Sequence, residues 1–402
     1  MSSAASHRTV VVVGAGIVGV CIAYALVKRG LHVTLVDRDE PGSGCSFGNS
    51  GAISPGSVAP LAMPGVIASV PRMLRDPESP LYLPLAYLPR ALPWLLRFVS
   101  SATPARVAAT AQKLDALHRG AVDAHLQLAR EVEVRELIVQ RGHLHLYPDR
   151  DAWLKDDASW RLRAQYGYAF ELIDRAGIEA LEPRVSKRYT VAAFLPDHAT
   201  VVNPFRYVQA IARAFVERGG HFVGGTVASV TASAGAQWQV NTERKPMLAH
   251  EVVIAAGAWS NALLAPLGVS VPLESQRGYH VQYRGPPPVS RTVVLADKKI
   301  FVTPMEEGLR VGGTVEIAGL YAAPDTRRAG LLARLAQENF EGLDATGSTV
   351  WMGHRPCTPD SMPVIGRAPG HRGLWLAVGH GHLGLTDSVN TATRITDEML
   401  AA

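Results

Sequence analysis

Three glycines at fixed spacing, Gly14-Ala15-Gly16-Ile17-Val18-Gly19, and an acid eighteen residues further on, Asp37, carry the first legible chemistry of this chain. The first glycine permits a tight turn. The second lets a pyrophosphate approach the backbone, and the third lets a helix pack closely on a sheet. A helix that starts in this run offers unpaired N–H groups and a positive dipole end to phosphates. Asp37 has the chemistry to accept hydrogen bonds from both hydroxyls of an adenosine ribose. The neighbouring Arg38 raises the question of a 2′-phosphate, and the acid at 37 argues against one.

Two further runs extend this chemistry. Gly42 to Ile53 is a loop of small residues containing Ser46, Asn49, Ser50, Gly51 and Ala52. It supplies backbone N–H groups and small hydroxyls and leaves room for a bulky ligand, although taken alone it also reads as a flexible turn. Near the other end of the chain, Gly379-His380-Gly381-His382-Leu383-Gly384 precedes Leu385 and Thr386. A helix N-terminus there can face a group that gains negative charge on reduction.

These residues need elements to position them. Thr9 to Val13 (TVVVV) is β-branched and apolar without alternation, the pattern of a strand buried on both faces. A helical pattern follows to Gly30, then a second buried strand from His32 ends at Asp37. Strand, glycine turn, helix, strand and acid together predict a dinucleotide-binding βαβ unit. Glu251 to Ala255 predicts another buried strand, and Ala256-Gly257-Ala258-Trp259 after it lets the backbone pass close to the cofactor. Leu374 to Val378 predicts a strand leading into the C-terminal turn and a final helix to Leu400. Between these, Val107, Ala111, Leu114, Leu117, Ala121, His125 and Leu128 recur at helical steps and predict one long helix behind Thr103-Pro104. Asn203-Pro204 opens another helix. Pro272 to Tyr283 and Ile300 to Glu316 predict antiparallel strands with a hairpin at Glu307-Gly308.

Composition bounds the function. The chain has 402 residues, 47% of them hydrophobic and 19% charged, an ordinary globular balance for two or three domains. The net charge of +5 is scattered rather than gathered into a stripe, which argues against nucleic acid as a partner. Cys21, Cys45 and Cys357 form neither a disulfide framework nor a zinc spacing. His380 and His382 have ligand-like spacing but no acid or cysteine near them in sequence, so no metal site is expected. Met1 to His7 is small and polar and does not read as a signal peptide. A reducing, cytoplasmic setting is the expectation.

In their order along the chain, the motifs resemble the D-amino acid oxidase/glycine oxidase superfamily, above all its bacterial D-amino acid dehydrogenases of small-subunit type. The resemblance runs over essentially the whole chain. It rests on the first glycine run, on Ser46 to Gly56 (SFGNSGAISPG), on Ala255 to Ser260 and on Arg277-Gly278-Tyr279-His280. It also rests on Arg355-Pro-Cys-Thr-Pro-Asp360, Pro363-Val-Ile-Gly366 and the Gly379 to Thr386 turn. The 277–280 block, with Thr303-Pro-Met and Arg310 to Glu316, is similar to the D-hydroxyproline dehydrogenase branch.

The resemblance implies an α/β chain with a discontinuous Rossmann-like FAD domain (1–60, 197–268 and 341–402). It implies a second, antiparallel-sheet substrate domain (61–196 and 269–340). FAD contacts are implied at the residues above and at Val227, Ala256, Gly257, Trp259, Gly353, Gly381 and His382. Arg355 or Arg277 is implied as a clamp for a substrate carboxylate. Where relatives carry a tyrosine this chain has Phe301, so that either Tyr279 stands in for it or the clamp lacks a hydroxyl, and His280 and His382 are candidates for tuning a substrate amine. The reaction implied is hydride transfer from Cα of a D-amino acid to the flavin. A respiratory quinone is the acceptor expected of a dehydrogenase, and oxygen that of a glycine- or sarcosine-type oxidase. A flavin subunit that depends on a partner chain is a further alternative. The proline-broken apolar stretch Leu81 to Val99 is read either as a peripheral contact with the inner face of the cell membrane or as a helix packed on the substrate domain.

Overall fold

A computed structural model describes residues 8–76 and 79–401; Met1 to His7 lies outside the described residues. The valine run forms the strand Thr9–Val13, paired in parallel with His32–Asp37 on one side and Glu251–Ile254 on the other. Val10 to Val13 are all buried, as a strand covered on both faces requires. The six-stranded sheet runs, edge to edge, His221–Gly224, His32–Asp37, Thr9–Val13, Glu251–Ile254, Leu374–Val378 and Val364–Arg367, the last antiparallel. The helices Ile17–Lys28, Pro204–Glu217 and Gly384–Leu400 share one core with this sheet. Pro204–Glu217 starts as its sequence dictates, with Asn203 Oδ1 accepting the Arg206 N–H at 3.0 Å and proline in the first turn.

The second sheet has nine strands. Its path is Thr349–Cys357, Glu274–Arg284, Gly308–Ile317, Ile300–Met305, Thr292–Leu295, His143–Tyr147, Val191–Leu195 and Glu171–Asp174, with Leu81–Tyr82 added beside Gly308–Ile317. Helix Thr326–Asn339 closes one face, where Leu332, Leu335 and Ala336 pack with Tyr279, Val281 and Tyr283. Burying a leucine-sized side chain there is worth ~1.5–3 kcal/mol. The other face looks toward the 46–53 loop and the six-stranded sheet.

Two expectations are corrected. The long helix is two helices, Pro104–His118 and Ala121–Glu131, because Gly120 sits in the left-handed region (φ 70°) and turns the chain between them. The 341 boundary also fails for Thr349–Cys357. This strand pairs along its whole length with Glu274–Arg284 and so belongs to the second sheet.

Candidate functional site

The site is built where the N-termini of two helices meet below the edge of the nine-stranded sheet. Gly14 takes φ 109°, and a Cβ there would lie 2.4 Å from the Ala255 carbonyl oxygen. At Gly19 a Cβ would lie 1.8 Å from the Gly14 carbonyl oxygen. These two glycines are therefore demanded by packing. Gly16 is different: a Cβ there would meet only Ser46 Oγ, at 3.6 Å, so its neighbours in the protein leave the space above it open. Helix Ile17–Lys28 starts at Gly16 with no acid in its first turn, and Ser46 Oγ accepts the Ile17 N–H at 2.9 Å. Helix Gly384–Leu400 starts alongside, where a Cβ on Gly384 would lie 3.9 Å from Val18. The open space at Gly16, the acid-free first turn of Ile17–Lys28 and the paired N-termini fit a diphosphate.

The acid at the end of the second strand is anchored. Asp37 accepts the Ala15 N–H at 2.6 Å with one carboxylate oxygen and the Asp39 N–H at 3.1 Å with the other. Arg38 lies over the Trp259 ring at 4.5 Å, and Trp259 meets His354 edge to face at 5.2 Å. Val227 opens its strand two residues after Gly225, whose N–H bonds to the Asp37 carbonyl at 2.8 Å. Gly257 and Gly381 both take φ 55°. Asn49 Oδ1 accepts the Gly51 N–H, and Thr386 Oγ1 bridges the Ser54 N–H and the Ala52 carbonyl. The His125 ring holds the Leu385 carbonyl at 2.8 Å. The predicted cofactor residues of the two glycine turns and the small-residue loop are thus drawn into one region.

The two arginines separate. Strand neighbours alternate faces, and residues paired across antiparallel strands share one. Arg277 and Tyr279 point toward helix Thr326–Asn339. The Tyr279 hydroxyl donates to Glu316 at 2.6 Å and accepts the Asp325 N–H. Arg277 Nε lies 3.4 Å from Glu316, and its Nη2 donates to the Ala323 carbonyl. Both belong to a buried network on the face away from the cofactor loop.

Arg355 lies on the face toward the cofactor loop. Its guanidinium crosses Gly278, where a Cβ would fall 2.1 Å from Nη2. It donates to the carbonyls of Thr314 (3.0 Å) and Gly313 (3.4 Å). Among the described residues no carboxylate pairs with it, and burial pulls its pKa down. A half-buried guanidinium with only carbonyl partners keeps its charge uncompensated.

His382 stands near it. Its side chain is accessible to solvent, yet burial and then the Arg355 charge push its pKa down to about 4. His380 instead bonds to Thr391 Oγ1 at 3.0 Å.

His280 is not free to act on a substrate. It stacks on Trp351 at 5.1 Å and holds the Gly48 carbonyl. Burial, then Arg310, pushes its pKa down to about 3. Register places Phe301, Gly312, His280 and Trp351 in one row on the loop-facing side, so Phe301 rather than Tyr279 occupies that face. Arg310 was given no role by sequence reasoning, although the strand alternation that puts Gly312 on this face also puts Arg310 there.

Comparison with known proteins agrees with this geometry. The family model described as FAD dependent oxidoreductase (DAO) matches residues 9–398. A D-amino-acid oxidase of Bradyrhizobium diazoefficiens is 38% identical, the match covering 98% of this chain and 95% of that protein. A D-amino acid dehydrogenase of a Methylobacterium species is 34% identical, with 96% and 94% covered. The same fold occurs in glycine oxidase from Geobacillus kaustophilus (TM-score 0.73, 20% identity, 98% and 95% covered). It also occurs in L-proline dehydrogenase from P. horikoshii (TM-score 0.72, 18% identity, 98% and 94% covered). With an acid-free helix start above an open glycine and a family match over nearly its whole length, the chain belongs to the DAO family of FAD-dependent oxidoreductases.

Proposed function

We propose that this flavoenzyme oxidises the Cα–N bond of a D-amino acid and passes the electrons to a membrane quinone. The observation that carries the substrate class is Arg355, a half-buried cation without an acid among the described residues, with the exposed His382 within reach of its charge. A guanidinium fork binds a carboxylate through two parallel hydrogen bonds and so fixes which Cα substituent faces the cofactor. The names of the related D-amino-acid oxidase and dehydrogenase favour the D enantiomer.

FAD would be held by Gly14 to Gly19, Asp37, Ser46 to Ala52 and the turn Gly381 to Thr386, and when bound it supplies the two-electron hydride acceptor. The protein supplies the rest. Arg355 anchors the carboxylate, on the face of the sheet that also carries Phe301 and Trp351. The substrate ammonium must lose a proton before hydride leaves Cα. Arg355 favours that loss, since its positive charge opposes a second cation nearby. His382 at about 4 and His280 at about 3 are neutral at physiological pH and are poor bases. The amine therefore reacts in its neutral form, and orientation rather than acid–base catalysis is the protein's main contribution.

Helix Leu88–Ser101 supports the membrane acceptor. Its inner side is tied to the site, for Trp94 is buried and its Nε1–H bonds to the Cys357 carbonyl at 3.1 Å. Its outer side is bare and apolar: Leu88, Leu92, Leu96 and Val99 are exposed, with Leu85 just ahead of the helix 85% exposed. Arg90 and Arg97 are exposed beside them. No described helix is long and apolar enough to cross a membrane, so contact would be in the plane of the surface.

The test is an anaerobic visible spectrum titrated with D- and L-amino acids, including the proline and hydroxyproline isomers. Bleaching by D isomers alone is expected, and bleaching by L isomers alone would overturn the stereochemistry. Peroxide release in air would replace the quinone reading with an oxidase. Co-sedimentation with anionic vesicles should be lost in R90E/R97E; equal binding by wild type and variant would remove the membrane contact.

A further inference from the structure

The loop that carries Ser46, Asn49 and Ser50 is fixed at one end by the first helix, through Ser46 Oγ and the Ile17 N–H. Its other end is held from the opposite sheet. Arg310, on Gly308–Ile317, donates from Nη1 to the Phe47 carbonyl at 2.9 Å and to the Asn49 carbonyl at 2.6 Å. Between those two, the Gly48 carbonyl lies 3.2 Å from His280 Nδ1. A carbonyl only accepts, so this nitrogen carries the proton and the His280 tautomer is assigned. Three successive loop carbonyls are thus gripped by two side chains of the second sheet.

Arg310 is itself held in place. Its Nε donates to Gln282 Oε1 at 3.0 Å, and Gln282 is its register partner on Glu274–Arg284. The residue is 8% exposed. Among the described residues it has no carboxylate partner. A buried cation satisfied only by carbonyls leaves positive potential at the cofactor loop, which a dianionic cofactor would neutralise. The contacts cross between the two sheets, so the shape of the FAD loop depends on a side chain outside the FAD domain.

We propose that Arg310, seconded by His280, is the positioning residue that latches the 46–50 loop for FAD, making cofactor retention and docking of the two sheets one event. The inference rests on the chain being an FAD enzyme and not on its substrate. R310M keeps the length of the stem and removes the donors. It loses two charge-assisted bonds to the loop, contacts that are costly to break in a buried setting. Relaxation of the loop returns part of that, so FAD release is expected to accelerate by about 10- to 100-fold. R310K keeps the charge and reaches one carbonyl without the fork, so it should fall between R310M and wild type.

The experiment dilutes the holoenzyme and follows FAD release by the recovery of flavin fluorescence. The Tm of each stripped protein is measured alongside, and the flavin midpoint potential of each loaded one. Loss of the positive charge should shift that potential downward, a change that a merely looser fold would not order as wild type, then R310K, then R310M. KM for the amino acid, measured in excess FAD, should stay within about twofold. H280F keeps the stack on Trp351, removes the Gly48 contact and should release FAD faster; it carries the test if R310M does not fold. Release by R310M, or by H280F where R310M fails to fold, at the wild-type rate would overturn the latch. So would equal release and equal potential in R310K and R310M. A colourless wild-type protein would instead refute the FAD reading beneath it.

Discussion

G278A tests the assignment of Arg355 through a residue that touches no ligand. Gly278 does not have a positive φ, so alanine is compatible with its backbone. The new Cβ would lie 2.1 Å from Arg355 Nη2, 2.2 Å from Cζ and 2.4 Å from Nη1. Ordinary contact starts near 3.4 Å, so the guanidinium must retreat by about 1.3 Å. The bonds to Thr314 and Gly313, at 3.0 and 3.4 Å, cannot both survive that shift. What moves is the end of a flexible side chain, so stability changes little. The one lost carbonyl bond costs ~1.5–3 kcal/mol, and the stiffer unfolded chain returns ~0.4–1 kcal/mol. For a chain of this length that is a Tm change of about 5 °C or less. Activity responds differently, since a 1 Å displacement of a substrate-orienting group costs on the order of 100-fold. The assay is kcat/KM for a D-amino acid with an artificial electron acceptor, beside Tm and the Ki of a simple carboxylate inhibitor. A loss of about 100-fold in kcat/KM, with Ki rising in parallel and Tm nearly constant, is expected. An unchanged Ki with the fold intact would show that Arg355 does not bind the carboxylate. A collapse in Tm would show that its carbonyl bonds are structural.

R355K should lose the fork and keep the charge, raising KM by about 10- to 100-fold and kcat less, checked by steady-state kinetics. The rate should rise with pH along the ionisation of the substrate amine, and its midpoint should move when one D-amino acid is exchanged for another of different basicity. A fixed midpoint near pH 6.5 would implicate a histidine instead. Stability should fall in acid. Burial pushes His125, His143 and His380 down to about 4, so the unfolded chain binds more protons than the folded one between about pH 6.5 and 4. Stability is then fully present above about 6.5 and is lost as pH falls through that window, by about 2 kcal/mol per histidine at pH 5. A Tm that stays flat from pH 7 to 5 would contradict it. G16A should keep the fold and lose FAD affinity, whereas G19A, with its Cβ 1.8 Å from a carbonyl, should fail to fold; purified yield and bound flavin report both.

The cofactor half of the site was legible because each signal there is local. TVVVV states a doubly buried strand, the glycine run states a turn and a helix start, and the acid follows at the distance one βαβ unit requires. The small-residue loop and the C-terminal glycine turn are each short enough to read alone. What was not legible depended on long-range pairing. Nothing in the sequence near Thr349 to Cys357 says that it joins Glu274–Arg284 rather than the FAD domain, since that choice is made by a ladder whose paired residues lie 67 to 83 positions apart. The single long helix failed for a local reason. Helical periodicity resumes in phase after Gly120, so the apolar spacing hid a left-handed residue that the glycine itself announced.

The Arg277-Gly278-Tyr279-His280 run shows how the substrate half went astray. Its charged and aromatic members drew attention as chemistry, yet a strand presents alternate residues to opposite faces, so Arg277 and Tyr279 cannot share a face with Gly278 and His280. Hydrophobic partners for Tyr279, Val281 and Tyr283 lie on helix Thr326–Asn339, which settles the face for all of them. The functional member of the run is then its glycine. A side chain at 278 would occupy the space of the Arg355 guanidinium, and at 280 histidine turns to the cofactor loop instead of the substrate. One residue of register thus sets the expected trio of Arg277, Tyr279 and His280 on two faces and leaves a clearance at Gly278 and a latch at His280. The arginine that remains in reach of a carboxylate comes from the neighbouring strand, and it is there because glycine leaves it room.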